Sequence, residues 1–200
     1  MNRLQPTVTR VADVLAVPWR NGGGVTRELL AWPDPQDWVL RVSVADIAAS
    51  GPFSAYPGVD RWFAVLEGGA LRLDTAGSDS KVLSASDPEL HAFPGDAATH
   101  CTTLGPLTRD FNLMARRARA RLRQLPLQLS PQLETRAEGA GLFVVHAVEL
   151  SHLPGGALQL PAMACAWWPN PQREPRTLRV EAAHTRGWWF EVDTDGSRTR

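Results

Sequence analysis

Short segments in which apolar and polar residues alternate recur along the whole chain, and each ends at glycine, proline, aspartate or asparagine. Successive side chains of a strand point to opposite faces of a sheet, so this period of two predicts β-strands. Hardly any segment keeps the 3.6-residue period of an amphipathic helix over a useful length. Many short strands separated by turn signals indicate an all-β fold, either a barrel or a sandwich.

Residues 38–69 carry the clearest example of this pattern. The first strand of the segment alternates between a uniformly apolar face and a face that includes an arginine and a hydroxyl. The apolar face is Trp38, Leu40, Val42 and Val44, and the other face is Val39, Arg41, Ser43 and Ala45. A turn-rich connector then leads to a second strand at residues 62–66. The first strand is typical of the wall of a ligand-holding barrel, although a surface strand of a sandwich has the same pattern.

Glycines mark two of the predicted turns. Three consecutive glycines at residues 22–24 predict a bend in which the backbone comes close to a neighbour, and a strand follows it. Gly68 and Gly69 predict a tight hairpin that leads into a strand at residues 70–74.

A break bracketed by Pro126 and Pro131 divides the predicted strands into a longer and a shorter set. We therefore expect two barrels in one compact chain. The first barrel, with the ligand pocket, is predicted at residues 1–125, and a second, smaller barrel is predicted at residues 126–200. The two barrels are expected to share strands.

Composition argues against several classes of partner. The chain of 200 residues has 21 basic and 21 acidic side chains, so a net charge of zero gives no general attraction to nucleic acid or to anionic membranes. No stretch approaches the length of a membrane span or of a signal-peptide core. Two distant cysteines, Cys101 and Cys165, fit a reducing cytoplasm. We expect a cytoplasmic protein without a nucleic-acid or membrane partner, and the sequence leaves open whether it forms a homodimer.

Four arginines share one face of an alternating segment, namely Arg117, Arg119, Arg121 and Arg123. Charge on an edge strand discourages pairing with the edges of other molecules. The aromatic residues that a single-strand binder interleaves with its basic residues are missing here. The stripe is therefore interpreted as a solvated edge strand in preference to an RNA-binding surface.

Polar side chains on neighbouring strands that would point to the same face of the sheet form a candidate site. If Arg41 and Ser43 face the barrel interior, the adjacent strands contribute Thr26, Glu28, Arg61 and Asn112, the last with Asp110 or Met114. A buried arginine without a partner is costly, and either Glu28 or a bound anion would relieve the cost. Two interpretations stay open: an anion site, or internal pairs of Arg41 with Glu28 and of Asp60 with Arg61 that only hold the barrel together.

Metal and nucleophile chemistry find less support in the pattern. The five histidines are His91, His100, His146, His152 and His184, and no two have the close spacing of a metal site. His100, shortly after the turn at Pro94 and Gly95, is the weak alternative metal ligand. Neither Ser43 nor Ser54 has a nearby histidine, and His100 and Cys101 as strand neighbours point to opposite faces. We predict neither a metal nor another cofactor.

Three segments together resemble the HutD/Ves family of bacterial bicupin proteins: residues 19–29, 41–69 and 105–117, in that order. The resemblance implies two stacked cupin-type barrels of the RmlC-like jelly-roll kind and an association with histidine utilisation. It also implies a first-barrel pocket suited to a small carboxylate such as formylglutamate or urocanate. Cupin enzymes usually carry a His-x-His and Glu metal motif in this region, where the present chain has Pro57, Val59 and Arg61.

These observations favour a binding protein over an enzyme. The expected function is metal-independent binding of a small anionic metabolite. Through this binding the protein would sense or limit flux in histidine utilisation. Arg41 and Arg61 would hold carboxylates, and Glu28 would orient an arginine or accept from a ligand N–H. Neutral hydrogen bonds would come from Thr26, Ser43 and Asn112, and the wall from Trp19 or Phe53. The alternative is a metal-independent isomerase or hydrolase with Glu28 as general base, its pKa raised by burial.

Overall fold

The structure is a computed structural model that describes residues 5–127, 132–153, 156–181 and 185–195. Within these ranges the chain forms no α-helix, and a 3-10 turn at Val11–Asp13 follows the first strand. The all-β prediction is confirmed. No helix among the described residues is long and apolar enough to cross a membrane.

The chain divides into two compact units. Val14–Arg119 form the first unit, and the described residues before 14 and after 119 form the second. The first unit contains β2 (Val17–Pro18), β3 (Gly24–Trp32), β4 (Leu40–Ile47), β5 (Gly51–Pro52), β6 (Val59–Gly68), β7 (Leu71–Thr75), β8 (Lys81–Leu83), β9 (His91–Pro94), β10 (Thr99–Thr103) and β11 (Thr108–Arg116). The second contains β1 (Thr7–Arg10), β12 (Ala120–Pro126), β13 (Gln132–Thr135), β14 (Gly139–Val144), β15 (Val148–Ser151), β16 (Leu158–Leu160), β17 (Ala164–Pro169), β18 (Arg176–Glu181) and β19 (Gly187–Thr194).

Two sheets make up the first unit. A six-stranded sheet has the order β2-β3-β4-β11-β6-β9, and a four-stranded sheet has the order β5-β10-β7-β8. Apolar side chains from both sheets meet in one core, with Ile47 and Phe63 on the large sheet and Leu73 and Cys101 on the small one. The site described below is built on the large sheet.

The two faces of β4 differ as the alternation predicted. Leu40, Val42 and Val44 are fully buried on one face. The other face carries Arg41 and Ser43 and turns toward the interior between the two sheets. A one-residue change in register would exchange the two faces, so the register of β4 fixes this placement. Arg41 is thereby held on the inner wall.

The turn at Gly68 and Gly69 does not form the predicted hairpin. β6 pairs with β11 and β9, whereas β7 pairs with β10 and β8, so the chain crosses from one sheet to the other at this turn. Gly68 has a φ of +91°, and a Cβ atom on it would lie 2.1 Å from the carbonyl oxygen of Leu107. Glycine is needed here for a close backbone approach and not for a two-residue hairpin.

The second unit also consists of two sheets. A five-stranded sheet has the order β1-β17-β14-β19-β12, and a four-stranded sheet has the order β13-β18-β15-β16. Their facing sides share a core that includes Leu142, Leu150, Trp168, Leu178 and Trp189. β1 pairs with β17 and β12 pairs with β19, so strands from both sides of the predicted boundary at residue 125 belong to the five-stranded sheet.

The opposite face of the five-stranded sheet is a buried aromatic layer. The rings of Trp167 and Phe190 stack at 6.3 Å, as do those of Phe143 and Trp188. A Cβ atom on Gly141 would lie 2.1 Å from the ring of Phe190. The absence of a side chain at this position on β14 therefore lets the aromatic ring lie flat over the strand.

Both cysteines are buried free thiols. Burial raises the pKa of each to about 12, and for Cys101 the carboxyl of Asp110 acts in the same direction. Neither cysteine takes part in a disulfide.

Candidate functional site

A cavity of about 660 Å³ lies in the first unit. All eight residues that the sequence pattern proposed for ligand binding line it: Trp19, Thr26, Glu28, Arg41, Ser43, Phe53, Arg61 and Asn112. Its size falls in the usual range for small-molecule sites. The structure thus brings the predicted set together around one cavity.

Strand register explains why these residues meet. Ser43 on β4 lies opposite Glu28 on β3 and opposite Asn112 on β11, so the three form one row across the sheet. In the next row Met114 on β11 lies between Arg41 on β4 and Arg61 on β6. Side chains opposite one another on a face are close neighbours. Two polar rows therefore stack on the inner wall of one sheet.

Arg61 is the most unusual member of the site. It is 5% exposed, and its guanidinium carbon lies 5.1 Å from the ring centre of Phe53, 5.6 Å from that of Tyr56 and 4.8 Å from that of Phe93. Burial lowers the pKa of Arg61 to about 10; Tyr56 opposes this change and the Arg41 cation adds to it. The side chain is therefore still a cation at neutral pH.

No carboxylate in the described part of the chain lies within ion-pair distance of Arg61, and its Nε atom has no hydrogen-bond partner there. The pair with Asp60 that sequence analysis left open is wrong. Asp60 points to the other face of β6, where it accepts from Nη2 of Arg117 at 2.7 Å. The aromatic rings attract the Arg61 cation, but each such contact contributes only about 0.5–2 kcal/mol.

Arg41 has the partner that the sequence predicted. Its Nε atom lies 2.6 Å from Oε2 of Glu28, although the angle at Nε does not meet hydrogen-bond geometry. The Glu28 side chain is 39% exposed. The general-base alternative required a buried Glu28, and this carboxylate is instead partly in solvent and engaged by an arginine.

Neutral polar groups complete the wall. The indole Nε1 of Trp19 donates to Oγ1 of Thr26 at 2.7 Å, which fixes the ring beside the cavity. Ser43 is buried. The Oδ1 atom of Asn112 is also buried and, among the residues that the structure describes, has no donor.

The glycine bend holds part of the cavity wall. The backbone N–H of Trp19 donates to the carbonyl of Gly24, and a Cβ atom on Gly24 would lie 2.4 Å from the carbonyl oxygen of Asp46. The side chain of Asn21 accepts from the backbone N–H of Gly23. The bend therefore positions Trp19 and Asn21. Gly24 permits the close packing, whereas Gly22 supplies a positive φ of +72°.

Several residues of the wall were not singled out by the sequence pattern as ligand-binding residues. Arg20 and Asn21 come from the glycine bend, and Tyr56 comes from the connector after β5. Met114 was named beside Asn112 only as an alternative to Asp110, and the structure places Met114 at the cavity. One feature of the sequence could have predicted a wall position for Tyr56. It lies in the connector between two strands that line the same interior, four residues before Asp60.

Asp110 has the same parity as Asn112 but is not among the residues that line the cavity. It is fully buried, its Oδ2 atom accepts from Oγ1 of Thr108 at 2.8 Å, and its Oδ1 atom has no partner within the described ranges. Burial raises the pKa of Asp110 to about 8; the hydrogen bond from Thr108 opposes this and the Asp46 carboxylate adds to it. Asp110 is therefore largely protonated at neutral pH.

The remaining candidates lie elsewhere. His100 is exposed on β10, where it lies opposite Asp74 and Pro52 on the adjacent strands, and Cys101 beside it is buried. In the described ranges no three His, Cys, Asp or Glu side chains are grouped so that they could hold a metal ion. His184 lies outside the described residues.

The four arginines of the basic stripe all contact carboxylates. Arg117 pairs with Asp60 and Asp96, Arg119 with Asp37, Arg121 with Asp195, and Arg123 with Glu191. The last two lie on β12, which is an edge strand of its sheet. The edge-strand interpretation therefore holds for Arg121 and Arg123, whereas Arg117 and Arg119 lie in the turn between β11 and β12.

Comparison with known proteins decides the family, because the sequence model of the HutD family matches residues 11–188. The chain belongs to the HutD family. Protein Ves of Cronobacter sakazakii is 33% identical to it over 179 residues, which cover 84% of this chain and 92% of that protein.

Solved structures agree with this membership. HutD from Pseudomonas fluorescens SBW25 superimposes on this HutD-family chain with a TM-score of 0.82 at 25% identity, covering 96% of this chain and all of that one. A cupin 2 conserved barrel domain protein from Leptotrichia buccalis gives a TM-score of 0.56 at 10% identity, covering 94% and 96% of the two chains. The second likeness concerns the fold alone, and it identifies the two-sheet units as cupin-type jelly rolls.

Proposed function

We propose that this HutD-family protein binds a small carboxylate metabolite in the cavity of its first unit, and that Arg61 is the anchor. The single observation that carries the proposal is a cationic side chain, 5% exposed, that has no carboxylate partner among the described residues. Several kcal/mol are needed to bury an unpaired charge. A bound carboxylate would offset this cost through charge-assisted hydrogen bonds to the guanidinium.

The rest of the wall narrows the ligand. Arg41 adds a second cation whose charge is partly balanced by Glu28. The partly exposed Glu28 carboxylate is also a hydrogen-bond acceptor at the wall, which favours a ligand that carries a donor. Formylglutamate has carboxylates and an amide N–H, and urocanate has a carboxylate and a ring N–H. Both therefore fit the chemistry of the wall.

The pathway assignment rests on similarity to named relatives. The relative from Pseudomonas fluorescens bears the name HutD, and its structure is of a formate condition. By this similarity we propose that the present chain senses or limits flux in histidine utilisation.

A calorimetric titration of the full chain with formylglutamate, urocanate and glutamate tests the proposal. We expect at least one of them to bind in the millimolar range or tighter, and Arg61→Met to abolish that binding. Arg72→Met is the matched control, because Arg72 is an exposed arginine on β7 that does not line the cavity. Absence of binding by all three compounds, or unchanged binding in Arg61→Met, would contradict the proposal.

A further inference from the structure

The cavity of the first unit has a second wall that the carboxylate site does not explain. The wall on the large sheet carries the two arginines, Glu28 and the neutral polar groups of that site. The other wall comes from β2 with the glycine bend, and from β5 with the connector that follows it. Its apolar and aromatic residues, which we call the apolar wall, are Val17, Pro18, Trp19, Pro52, Phe53 and Tyr56. The same segments add Arg20, Asn21 and Ser54, which are exposed residues.

The aromatic part of the apolar wall begins beside Arg61 and continues away from it. The guanidinium carbon of Arg61 lies 5.1 Å from the ring centre of Phe53, and the centres of the nearly perpendicular Phe53 and Trp19 rings are 6.4 Å apart. Both rings pack against the core of the first unit but are only partly buried, so each keeps accessible surface. A carbon skeleton that extends from a carboxylate on Arg61 would therefore meet Phe53 first and Trp19 next.

Val17 and Pro18 carry the apolar wall to the protein surface. Val17 on β2 lies opposite Thr26 on β3, and the hydroxyl of Thr26 accepts from the Trp19 indole. Val17 is 65% exposed although it lines the cavity. Exposed apolar residues that adjoin a cavity are typical of ligand-binding grooves. The apolar wall thus runs from the anchoring cation to the mouth of the cavity.

Volume and charge agree with a ligand that has one charged end. A cavity of about 660 Å³ is in the range that encloses drug-sized ligands, so a small metabolite on Arg61 would fill only part of it. The charge of Arg41 is partly balanced by Glu28, whereas Arg61 has no carboxylate partner in the described ranges. Arg20 is a further cation of the wall, but solvent screens its charge. One carboxylate would balance Arg61, and the remainder of the ligand would face the apolar wall.

We propose that the cavity takes an amphipathic monocarboxylate, whose carboxylate binds Arg61 and whose apolar body of several carbons lies along Phe53 and Trp19 toward Val17. This inference rests on the proposed function, since it uses the same anchor. It goes further because it assigns the apolar wall a role and names the class of ligand. Formylglutamate has a second carboxylate and would leave much of the apolar wall uncovered.

Butyrate, hexanoate and octanoate are the probes, and calorimetry of the full chain measures their affinities. Full burial of one methylene group strengthens binding about fourfold. Octanoate should therefore bind at least about tenfold tighter than butyrate, even where the wall covers only one side of the chain. Suberate has the length of octanoate and a carboxylate at both ends. It should bind more weakly than octanoate, because its second carboxylate would lose hydration against the aromatic rings.

Trp19→Gln removes an aromatic ring from the apolar wall and keeps an N–H group that can donate to Thr26. It should lower the ratio of octanoate to butyrate affinity by about threefold or more. Leu15→Gln is the matched control, since Leu15 is 89% exposed in the same segment and does not line the cavity. It should keep the wild-type ratio. If Trp19→Gln does not fold, the chain-length series and the suberate comparison decide alone.

Three results would overturn the inference: equal affinities of butyrate and octanoate, suberate at least as tight as octanoate, or octanoate binding that persists in Arg61→Met. A parallel titration with formylglutamate separates this inference from the proposed function. If formylglutamate binds through Arg61 while affinity does not rise with chain length, only the apolar assignment fails. If neither formylglutamate nor any of the alkyl acids binds, the carboxylate site fails with it.

Discussion

Asp60 and Arg61 are neighbours on β6 but face opposite sides of the sheet, and only Asp60 has an ionic partner among the described residues. Asp60 pairs with Arg117 at 2.7 Å on the outer face. Arg61 is enclosed by the rings of Phe53, Tyr56 and Phe93 on the inner face. Adjacent opposite charges on a strand cannot neutralise each other when the pleat separates them. The arginine is thereby left as an uncompensated cation at the cavity.

Replacement of Arg61 by methionine should stabilise the protein while it removes ligand binding. Methionine fills a similar volume without a buried charge, and such exchanges leave stability unchanged or raise it by about 1–4 kcal/mol. Urea unfolding of Arg61→Met and wild type measures the difference. Arg72→Met, on the exposed β7 surface, should change the free energy of unfolding by no more than about 0.5 kcal/mol. A destabilised Arg61→Met would indicate a structural role for the cation.

Deprotonation of Asp110 should lower the free energy of unfolding of the protein as the pH rises. Burial raises the pKa of Asp110 from 3.8 to about 8 in the folded protein, so the folded state binds a proton that the unfolded state has lost at intermediate pH. Its contribution is most favourable below pH 3.8 and is lost progressively up to about pH 8, with a slope of about 1.4 kcal/mol per pH unit between these values.

Urea titrations at several pH values, compared between wild type and Asp110→Asn, isolate this contribution. Asp110→Asn should be the less pH-dependent protein across the window, because asparagine does not titrate. Asp79→Asn, an exposed aspartate in the loop before β8, serves as the control and should keep the wild-type slope. Identical slopes in wild type and Asp110→Asn would show that the carboxyl is not protonated in the fold.

Gly141→Ala should destabilise the second unit. The added Cβ atom would lie 2.1 Å from the Phe190 ring, and that ring is fully buried and unable to move freely. Overpacking of this kind costs about 1–3 kcal/mol. Thermal unfolding compares it with Gly51→Ala, where the nearest neighbour of the new Cβ would be 3.9 Å away. Equal melting temperatures for the two variants would contradict the tight packing over β14.

Glu28→Gln should retain binding of formylglutamate and tighten it by about two- to fivefold. The Glu28 side chain is 39% exposed, and loss of one such solvent-screened negative charge favours an anionic ligand by no more than about 1 kcal/mol. Calorimetry measures the affinity. A turnover of the ligand that is present in wild type and lost in Glu28→Gln would instead support the enzymatic alternative, in which Glu28 is a general base.

Period-two alternation was sufficient to separate the two faces of β4, but it left open which face lines the interior. The common parity of Glu28, Ser43 and Asn112 was likewise anticipated, whereas their alignment in one row depends on strand pairing. What alternation does not specify is the choice of partner strand. The turn at Gly68 therefore looked like a hairpin although it crosses between sheets. For the same reason the pairing of β1 with β17, more than 150 residues later in the chain, has no local signal.

The aromatic enclosure of Arg61 was only partly predictable. Phe53 was expected at the wall, but the contacts of Tyr56 and Phe93 with the guanidinium depend on how the connector and β9 fold back on β6. The absence of a partner for Arg61 depends on the strand face taken by Asp60. These are tertiary relationships, and alternation along one strand carries no information about them.

The Nε–H resonance of Arg61 tests the central claim most directly, because this atom is buried and has no hydrogen-bond partner among the described residues. It can be assigned in ¹⁵N-labelled protein by its loss in Arg61→Met. A carboxylate that binds elsewhere on the same guanidinium changes the electronic environment of Nε. On titration with formylglutamate we therefore predict a saturable change in the chemical shift of this resonance that follows the calorimetric binding curve. Saturation of the protein with ligand while the Arg61 resonance stays unmoved would contradict the account.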